Sequence, residues 1–295
     1  MKIVIAYDGS IHAGVAIDDL QWAGLPLNAE AAVLSVVEER IPAPQSYGMV
    51  ETEFTDDRVA IAETSAEEAC NRLTGYFPQW DIRMETRWGH PAAAILDKAN
   101  SWLADLIVVG ERGRSKLARL VLGSVSLKVV REAPCSVRVG RGSKPEGSIR
   151  LLIGSDGSPE AEAAVDEVCG RSWPAGAEAR VLAVHELLIP INAERMAIGE
   201  QSYREINDAE RGRLKDAVET SVEKLRRAGL AVSSMIEEGD PKKALSVAAR
   251  DWNANTIFVG ARGLGRVERL LLGGVSSATV EHAPCTVEIV RRHQN

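Results

Sequence analysis

Leu106-Ile107-Val108-Val109-Gly110-Glu111-Arg112-Gly113, followed ten residues on by Gly123-Ser124-Val125-Ser126, is the stretch that decides the fold. A short, wholly apolar run ending in glycine reads as a strand buried on both faces. A second glycine three residues later, and a third before a helical segment, read as a loop that turns the chain into a helix. The pattern returns as Thr256-Ile257-Phe258-Val259-Gly260-Ala261-Arg262-Gly263, with Gly273-Gly274-Val275-Ser276 behind it. Two copies of the loop imply two copies of a fold.

Asp8-Gly9-Ser10 matches Asp156-Gly157-Ser158 at an offset of 148, and Ala133-Pro134-Cys135 matches Ala283-Pro284-Cys285 at 150. A period this long exceeds that of solenoids and propellers, so each copy should be a whole domain with its own core. The stretch Arg141 to Ser148, with its glycines, one proline and mixed charge, has linker composition. Domains at 1–144 and 145–295 are therefore expected.

The chain has 295 residues, 45% hydrophobic and 26% charged, enough for two ordinary globular cores. A net charge of −7 disfavours nonspecific association with nucleic acid or an anionic membrane. Four cysteines show no metal-finger or C-x-x-C spacing, and Cys135 and Cys285 recur in register as expected buried thiols. Neither a signal-peptide pattern nor a long apolar segment occurs, so a cytoplasmic location is expected.

Strand-like runs at Ile3–Ala6, Ala31–Val37, Ile82–Arg87, Leu106–Val109 and Ser136–Val139 alternate with helical patterns, the longest from about Phe54 to Tyr76. The second copy repeats the order at Arg150–Gly154, Glu178–Val184, Ala231–Ile236, Thr256–Val259 and Thr286–Val290, with a long helix near Tyr203–Ala228. Alternation of this kind predicts an α/β fold of parallel strands with helices on both faces. The stretches Ser46–Glu53 and Ile191–Gln201 are candidate lids.

Glycines at a strand end and before a helix gather backbone N–H groups around a concavity, and phosphate is the natural occupant. Ser124 and Ser126 offer hydroxyls there, and Arg112, Arg114 and Lys116 offer charge. The spacing is neither a Walker A loop nor a dinucleotide fingerprint. A plain glycine-rich turn is the competing reading for either loop alone. In an open parallel sheet, Asp8 after the first strand and Gly110 after the fourth would face one crevice. Asp8 and Asp156 then have two readings each, as a ligand for ribose or metal or as the cap of the following helix.

The ordered set of Asp-Gly-Ser, the G-x2-G-x9-G-S loop and Ala-Pro-Cys before the last strand resembles the universal stress protein family in its tandem form, over almost the whole chain. The resemblance implies two Rossmann-like, adenine nucleotide alpha hydrolase-like domains of five parallel strands, binding ATP with Mg2+ or Mn2+. It also implies an intramolecular pseudo-dimer, further homodimers, and an unidentified protein partner. By that resemblance Asp8 and Val36 lie near adenosine, Gly110, Arg112, Gly113, Arg114 and Ser115 line ribose and phosphates, and Gly123, Ser124, Val125 and Ser126 close around the phosphate tail. In the second copy the matching set is Asp156, Val184, Gly260, Arg262, Gly263, Leu264, Gly265, Gly273, Gly274, Val275 and Ser276. Gly274 in place of Ser124, and Leu264 and Gly265 in place of Arg114 and Ser115, predict weaker phosphate binding in that copy.

The five histidines are scattered, and His90, like Asp240 in the second copy, precedes a proline at a helix start. Ser10 and Ser158 read as helix caps, since neither has a nucleophile elbow. Trp22 with Trp173, and Trp102 with Trp252, recur as packing residues. No residue set commits to ATP hydrolysis, so at most slow turnover is expected. Nucleotide-dependent signalling in the stress response is the leading function. A scaffold with vestigial sites, using Val137, Val139, Val287 and Ile289 on its last strands, is the alternative. An enzyme of the wider hydrolase-like group has no nucleophile motif to support it.

Overall fold

The computed structural model describes residues 1–38, 51–113, 122–142, 145–187, 200–263 and 272–292, with the backbone alone at 51–56 and 200–201. The chain divides into two compact units, Met1–Lys144 together with Arg292–Asn295, and Pro145–Arg291.

In the first unit the elements run β1 (Lys2–Ala6), α1 (Ile11–Asp19), β2 (Glu30–Val37), α2 (Glu51–Tyr76), β3 (Asp81–Trp88), α3 (Pro91–Trp102), β4 (Leu106–Gly110), α4 (Ser124–Glu132) and β5 (Ser136–Gly140). The strands lie in the order β3-β2-β1-β4-β5 and every pair is parallel. The chain winds outward from β1 to β3 and then resumes on the other side at β4. A topological switch point therefore lies between the carboxyl ends of β1 and β4.

Alternation along the strands explains the apolar runs. Ile3, Ile5, Ala31, Val33, Leu106 and Val108 pack with Ala13, Ala16 and Ile17 of α1 and Ala66, Ala69 and Leu73 of α2. Their neighbours Val4, Ala32, Leu34, Ile107 and Val109 are equally buried on the face of α3 and α4, where Ile95, Ala99, Val129 and Val130 lie. Strand β3, outermost in its order, instead exposes Met84 and Trp88. Its half-wet pattern is that of an edge.

The ends of the helices follow local chemistry. Ser10 caps α1 by accepting a hydrogen bond from the Ala13 N–H, and a 3-10 turn at Leu20–Trp22 continues the helix. Helix α2 starts three residues before Phe54, where the apolar pattern begins. Helix α3 opens on Pro91 and closes at Leu103, which adopts the left-handed conformation at φ 54°.

The second unit repeats the plan with β6 (Arg150–Gly154), α5 (Pro159–Cys169), β7 (Glu178–His185), α6 (Glu200–Arg227), β8 (Ala231–Glu238), α7 (Pro241–Asp251), β9 (Thr256–Gly260), α8 (Gly274–His282) and β10 (Thr286–Val290). Its order is β8-β7-β6-β9-β10, again parallel throughout. Ser158 caps α5 as Ser10 caps α1. At the end of α7, Asn253 takes the left-handed turn that Leu103 takes in the first unit.

One buried polar feature differs in sign between the units. On β5, Arg138 is fully buried and its Nε donates to Asp19 Oδ2 at 2.6 Å. At the equivalent place on β10 stands Glu288, also fully buried, paired with Arg171. Arg171 further holds Glu167 at 2.8 Å and lies 5.3 Å from the centre of the Phe258 ring.

Cys135 and Cys285 are buried thiols outside any disulfide, as expected. The four recurring tryptophans, Trp22, Trp102, Trp173 and Trp252, are half-buried: Trp102 receives Lys2 and Lys98 on its face, and Trp252 receives Arg180. Trp173 donates to the Val168 carbonyl and meets Phe258 edge-on. No helix among the described residues is long and apolar enough to cross a membrane.

Candidate functional site

In each unit the Asp-Gly-Ser turn and the glycine loop meet at the switch point. After β1, the Tyr7 N–H still bonds the Leu34 carbonyl, and Gly9 then turns the chain with φ 75°. Asp8 Oδ1 accepts the Ser10 N–H at 3.0 Å, an Asx turn that fixes the carboxylate. Its other oxygen faces the glycine loop: a Cβ added to Gly113 would lie 2.7 Å from Asp8 Oδ2. The capping reading thus belongs to Ser10, and Asp8 is turned towards the loop.

The glycines serve different ends. A Cβ on Gly110 would lie 2.8 Å from the carbonyl carbon and oxygen of His12, so glycine is demanded there by packing of β4 against the first turn of α1. Gly123 donates its N–H to the Glu111 carbonyl at 2.9 Å and occupies the N-cap of α4 without any side-chain cap. The first helical bond of α4 is Leu127 N–H to the Gly123 carbonyl. The amides of Ser124, Val125 and Ser126 therefore open onto the crevice as an electropositive helix end.

Ser126 has a partner within the fold. Its hydroxyl is buried and donates to the Gly110 carbonyl at 2.7 Å. That bond ties α4 to the end of β4. Ser124 is exposed at the crevice, and Val125 is half-buried beside it. Val36 is half-buried near the end of β2. Arg112 lies 3.5 Å from Glu111, and Arg141 approaches the same carboxylate.

The second unit reproduces this hydrogen-bond pattern. Asp156 Oδ1 accepts the Ser158 N–H at 2.9 Å, and a Cβ on Gly263 would come within 2.5 Å of Asp156 Oδ2. Gly260 is pressed against the backbone of Glu160 as Gly110 is against His12. Gly273 N–H bonds the Ala261 carbonyl, and Ser276 donates to the Gly260 carbonyl at 2.7 Å. Val184 and Val275 are half-buried at the places of Val36 and Val125. Arg114, Ser115, Lys116, Leu264 and Gly265 lie outside the described residues, as do Ser46–Val50 and Ile191–Gly199 of the candidate lids; Glu51–Glu53 and Glu200–Gln201 belong to α2 and α6.

Charges around the second crevice distinguish it from the first. Arg262 pairs with Glu160 at 3.7 Å, where the first unit has His12 in place of the acid. Lys242, next to the Asp240 cap of α7, runs its stem past Gly274: a Cβ there would lie 3.4 Å from Lys242 Cε. On α6, Arg213 donates from Nη1 to the Asp156 carbonyl at 2.8 Å and grips Glu210 through Nε and Nη2. The Arg213 hydrogen bonds hold the Glu210 carboxyl below its usual range, and Glu210 raises Arg213 in turn. The sequence signals for these are breaks in the repeat, His12 against Glu160 and Ala92 against Lys242. No cluster of three or more potential metal ligands occurs among the described residues.

The model of the universal stress protein family matches residues 1–141 and again 149–291. The chain belongs to that family. A universal stress protein of Mycobacterium tuberculosis is 28% identical over 98% of this chain and 97% of its own length. One from Thermus aquaticus is 41% identical over 140 residues, covering 47% of this chain and 97% of that protein. Among solved structures, a universal stress protein from Archaeoglobus fulgidus superposes with a TM-score of 0.61 at 18% identity, covering 99% of this chain and 96% of that one. A protein from Pseudomonas aeruginosa superposes with a TM-score of 0.60 at 15% identity, covering 99% of this chain and 92% of that one. These likenesses establish the Rossmann-like fold of a tandem universal stress protein.

Proposed function

We propose that the first unit binds ATP, and that occupancy alters a conformation or an interface through which this universal stress protein signals. The observation that carries the reading is Asp8 Oδ2 turned onto Gly113, with the uncapped start of α4 beside it. A carboxylate suits ribose hydroxyls, and free amides at a helix start suit phosphate. The Gly113 hydrogen leaves room that any side chain would fill. Val36 would pack on adenine, Gly110, Arg112, Gly113, Arg114 and Ser115 would line ribose and phosphates, and Gly123, Ser124 and Val125 would supply the amides around the phosphate tail.

Mg2+ or Mn2+ would arrive with the nucleotide, its oxygens coming mainly from phosphate and water. Binding rather than turnover is the proposed activity. In the second unit, Gly274 lacks the Ser124 hydroxyl, and Arg213 crowds the Asp156 turn. Both features support weaker binding there, and a role nearer to the scaffold reading. Four cysteines outside any disulfide support a reducing cytoplasm as the compartment.

Calorimetry with ATP and Mg2+ tests the reading on the native protein and on Gly113→Ala and Gly263→Ala, each confirmed as folded. Loss of the tighter binding event in Gly113→Ala, with the weaker second-unit event persisting, and retention of the tighter event in Gly263→Ala are expected for a dominant first site. Absence of ATP binding by the native protein would reject the proposal in favour of a scaffold.

A further inference from the structure

His185 is the last residue of β7, only 2% exposed, and neither ring nitrogen has a hydrogen-bond partner among the described residues. Buried polar groups are almost always paired, and one that is not calls for a reason. Its first-unit counterpart is Val37, which closes β2 in the same way. The Gly89 N–H bonds the Val37 carbonyl at 3.0 Å, and the Gly239 N–H bonds the His185 carbonyl at 3.1 Å. The second unit has thus replaced an apolar residue with an imidazole at the carboxyl edge of its sheet, one residue after Val184.

The surroundings differ in the same direction. Alternation with Ala179, Val181 and Ala183 directs His185 to the face covered by α6, and Glu210 of that helix is close enough for its charge to couple with the ring. Aligning the buried faces Ala62-Ala66-Ala69-Leu73 and Leu214-Val218-Ser221-Leu225 sets Arg213 opposite Ile61 and Glu210 opposite Arg58. Arg213 and Glu210 satisfy each other and the Asp156 carbonyl. The imidazole takes no hydrogen bond in that arrangement.

We propose that His185 is a specificity-determining residue of the second crevice, hydrogen-bonding the edge of an aminopurine-type base. The inference rests on the reading of that crevice as a nucleotide site. A neutral imidazole carries one donor and one acceptor, and the base edge presents the complementary pair. Val37 can make only apolar contact. The second unit therefore gains on the base part of what it loses on the phosphates, and the two crevices read their ligands by different ends.

The test uses the full chain carrying Gly113→Ala, so that the second unit dominates, with ATP and tripolyphosphate as calorimetric probes. His185→Val should weaken ATP about tenfold while leaving tripolyphosphate unchanged. It should also raise the thermal midpoint, because an apolar group replaces an unpaired polar one. His185→Gln, which keeps a donor and an acceptor, should fall between native and His185→Val, and it carries the test if the valine variant does not fold. Unchanged ATP affinity in folded His185→Val would overturn the proposal while leaving the crevice a nucleotide site. If the Gly113→Ala chain binds neither probe, the second unit is not a nucleotide site and both readings of it fail.

Discussion

The two units share a scaffold down to individual hydrogen bonds, yet they differ where side chains rather than backbone define the crevice. Asp8 and Asp156, Ser10 and Ser158, Gly113 and Gly263, and Ser126 and Ser276 make matching contacts. Every one of these involves at least one backbone group. Ser124 and Gly274, Val37 and His185, Ile61 and Arg213, and Ala92 and Lys242 have diverged, and all of them lie around the crevice or the helix that borders it. The backbone cradle is what a duplication preserves cheaply, since few residue types satisfy each position. The side chains facing a ligand are free to specialise.

The buried ion pairs are the same comparison in the core, and there the largest effect is expected. In Arg138→Leu the Asp19 carboxylate loses the guanidinium it bonds at 2.6 Å while remaining buried. Removing one partner of a buried pair costs about 3–5 kcal/mol. Glu288→Gln strands a cation, Arg171, that keeps Glu167 and the Phe258 ring, so its loss should be smaller. Urea unfolding of both variants measures the contrast. Equal losses would mean that Glu167 and Phe258 do not compensate.

Next in size is the effect of a single methyl group on the loop. Gly113→Ala forces Asp8 to move, because the new Cβ would lie 2.7 Å from its oxygen. At least a tenfold loss of ATP affinity is expected, or about 1.4 kcal/mol. Gly263→Ala meets a tighter contact but a crevice of lower expected affinity, so the total heat of ATP binding should change less. A larger change in Gly263→Ala would reverse the ranking of the two units.

Leu103 and Asn253 sharpen the comparison on the stability side. Both adopt positive φ after the helix preceding the fourth strand, at 54° and 51°, and Leu103 is 78% exposed. Asparagine tolerates this conformation, whereas leucine pays for it with a Cβ clash of about 1–2 kcal/mol. Leu103→Gly should therefore stabilise the first unit by up to about 1 kcal/mol, read as a rise in thermal midpoint. Asn253→Gly should change little.

Much of this was legible in the residues. Buried parallel strands announce themselves as short apolar runs, and glycines pressed against a backbone have no substitute, so strand positions and loop spacing gave the fold and its duplication. The α6 contacts were not legible: Arg213 reads as one of many charges on a solvated helix, and only folding brings its guanidinium to the Asp156 carbonyl. Ser126 reads as a phosphate donor because it follows the loop glycine at a helix start. Its actual acceptor, Gly110, lies sixteen residues away in sequence. His185 was invisible because a histidine is informative only once its missing partners are known.

The smallest effect isolates that helix. Glu210 is held below the ordinary carboxylate range by Arg213, an interaction the first unit replaces with Arg58 and Ile61. A carboxyl with a depressed folded value contributes stability that is present above its unfolded value and lost as pH falls through the folded one. The side chains are 42% and 37% exposed, so solvent screening limits the contribution to roughly 0.5 kcal/mol. Glu210→Gln should therefore lower the urea midpoint slightly at neutral pH, and the gap from the native protein should close on acidification below the usual carboxylate range. A gap that persists unchanged in acid would mean that Glu210 acts through packing against Arg213 and not through its charge. The clamp on the Asp156 turn would then be steric, and nucleotide affinity in the second unit would be insensitive to the same acidification.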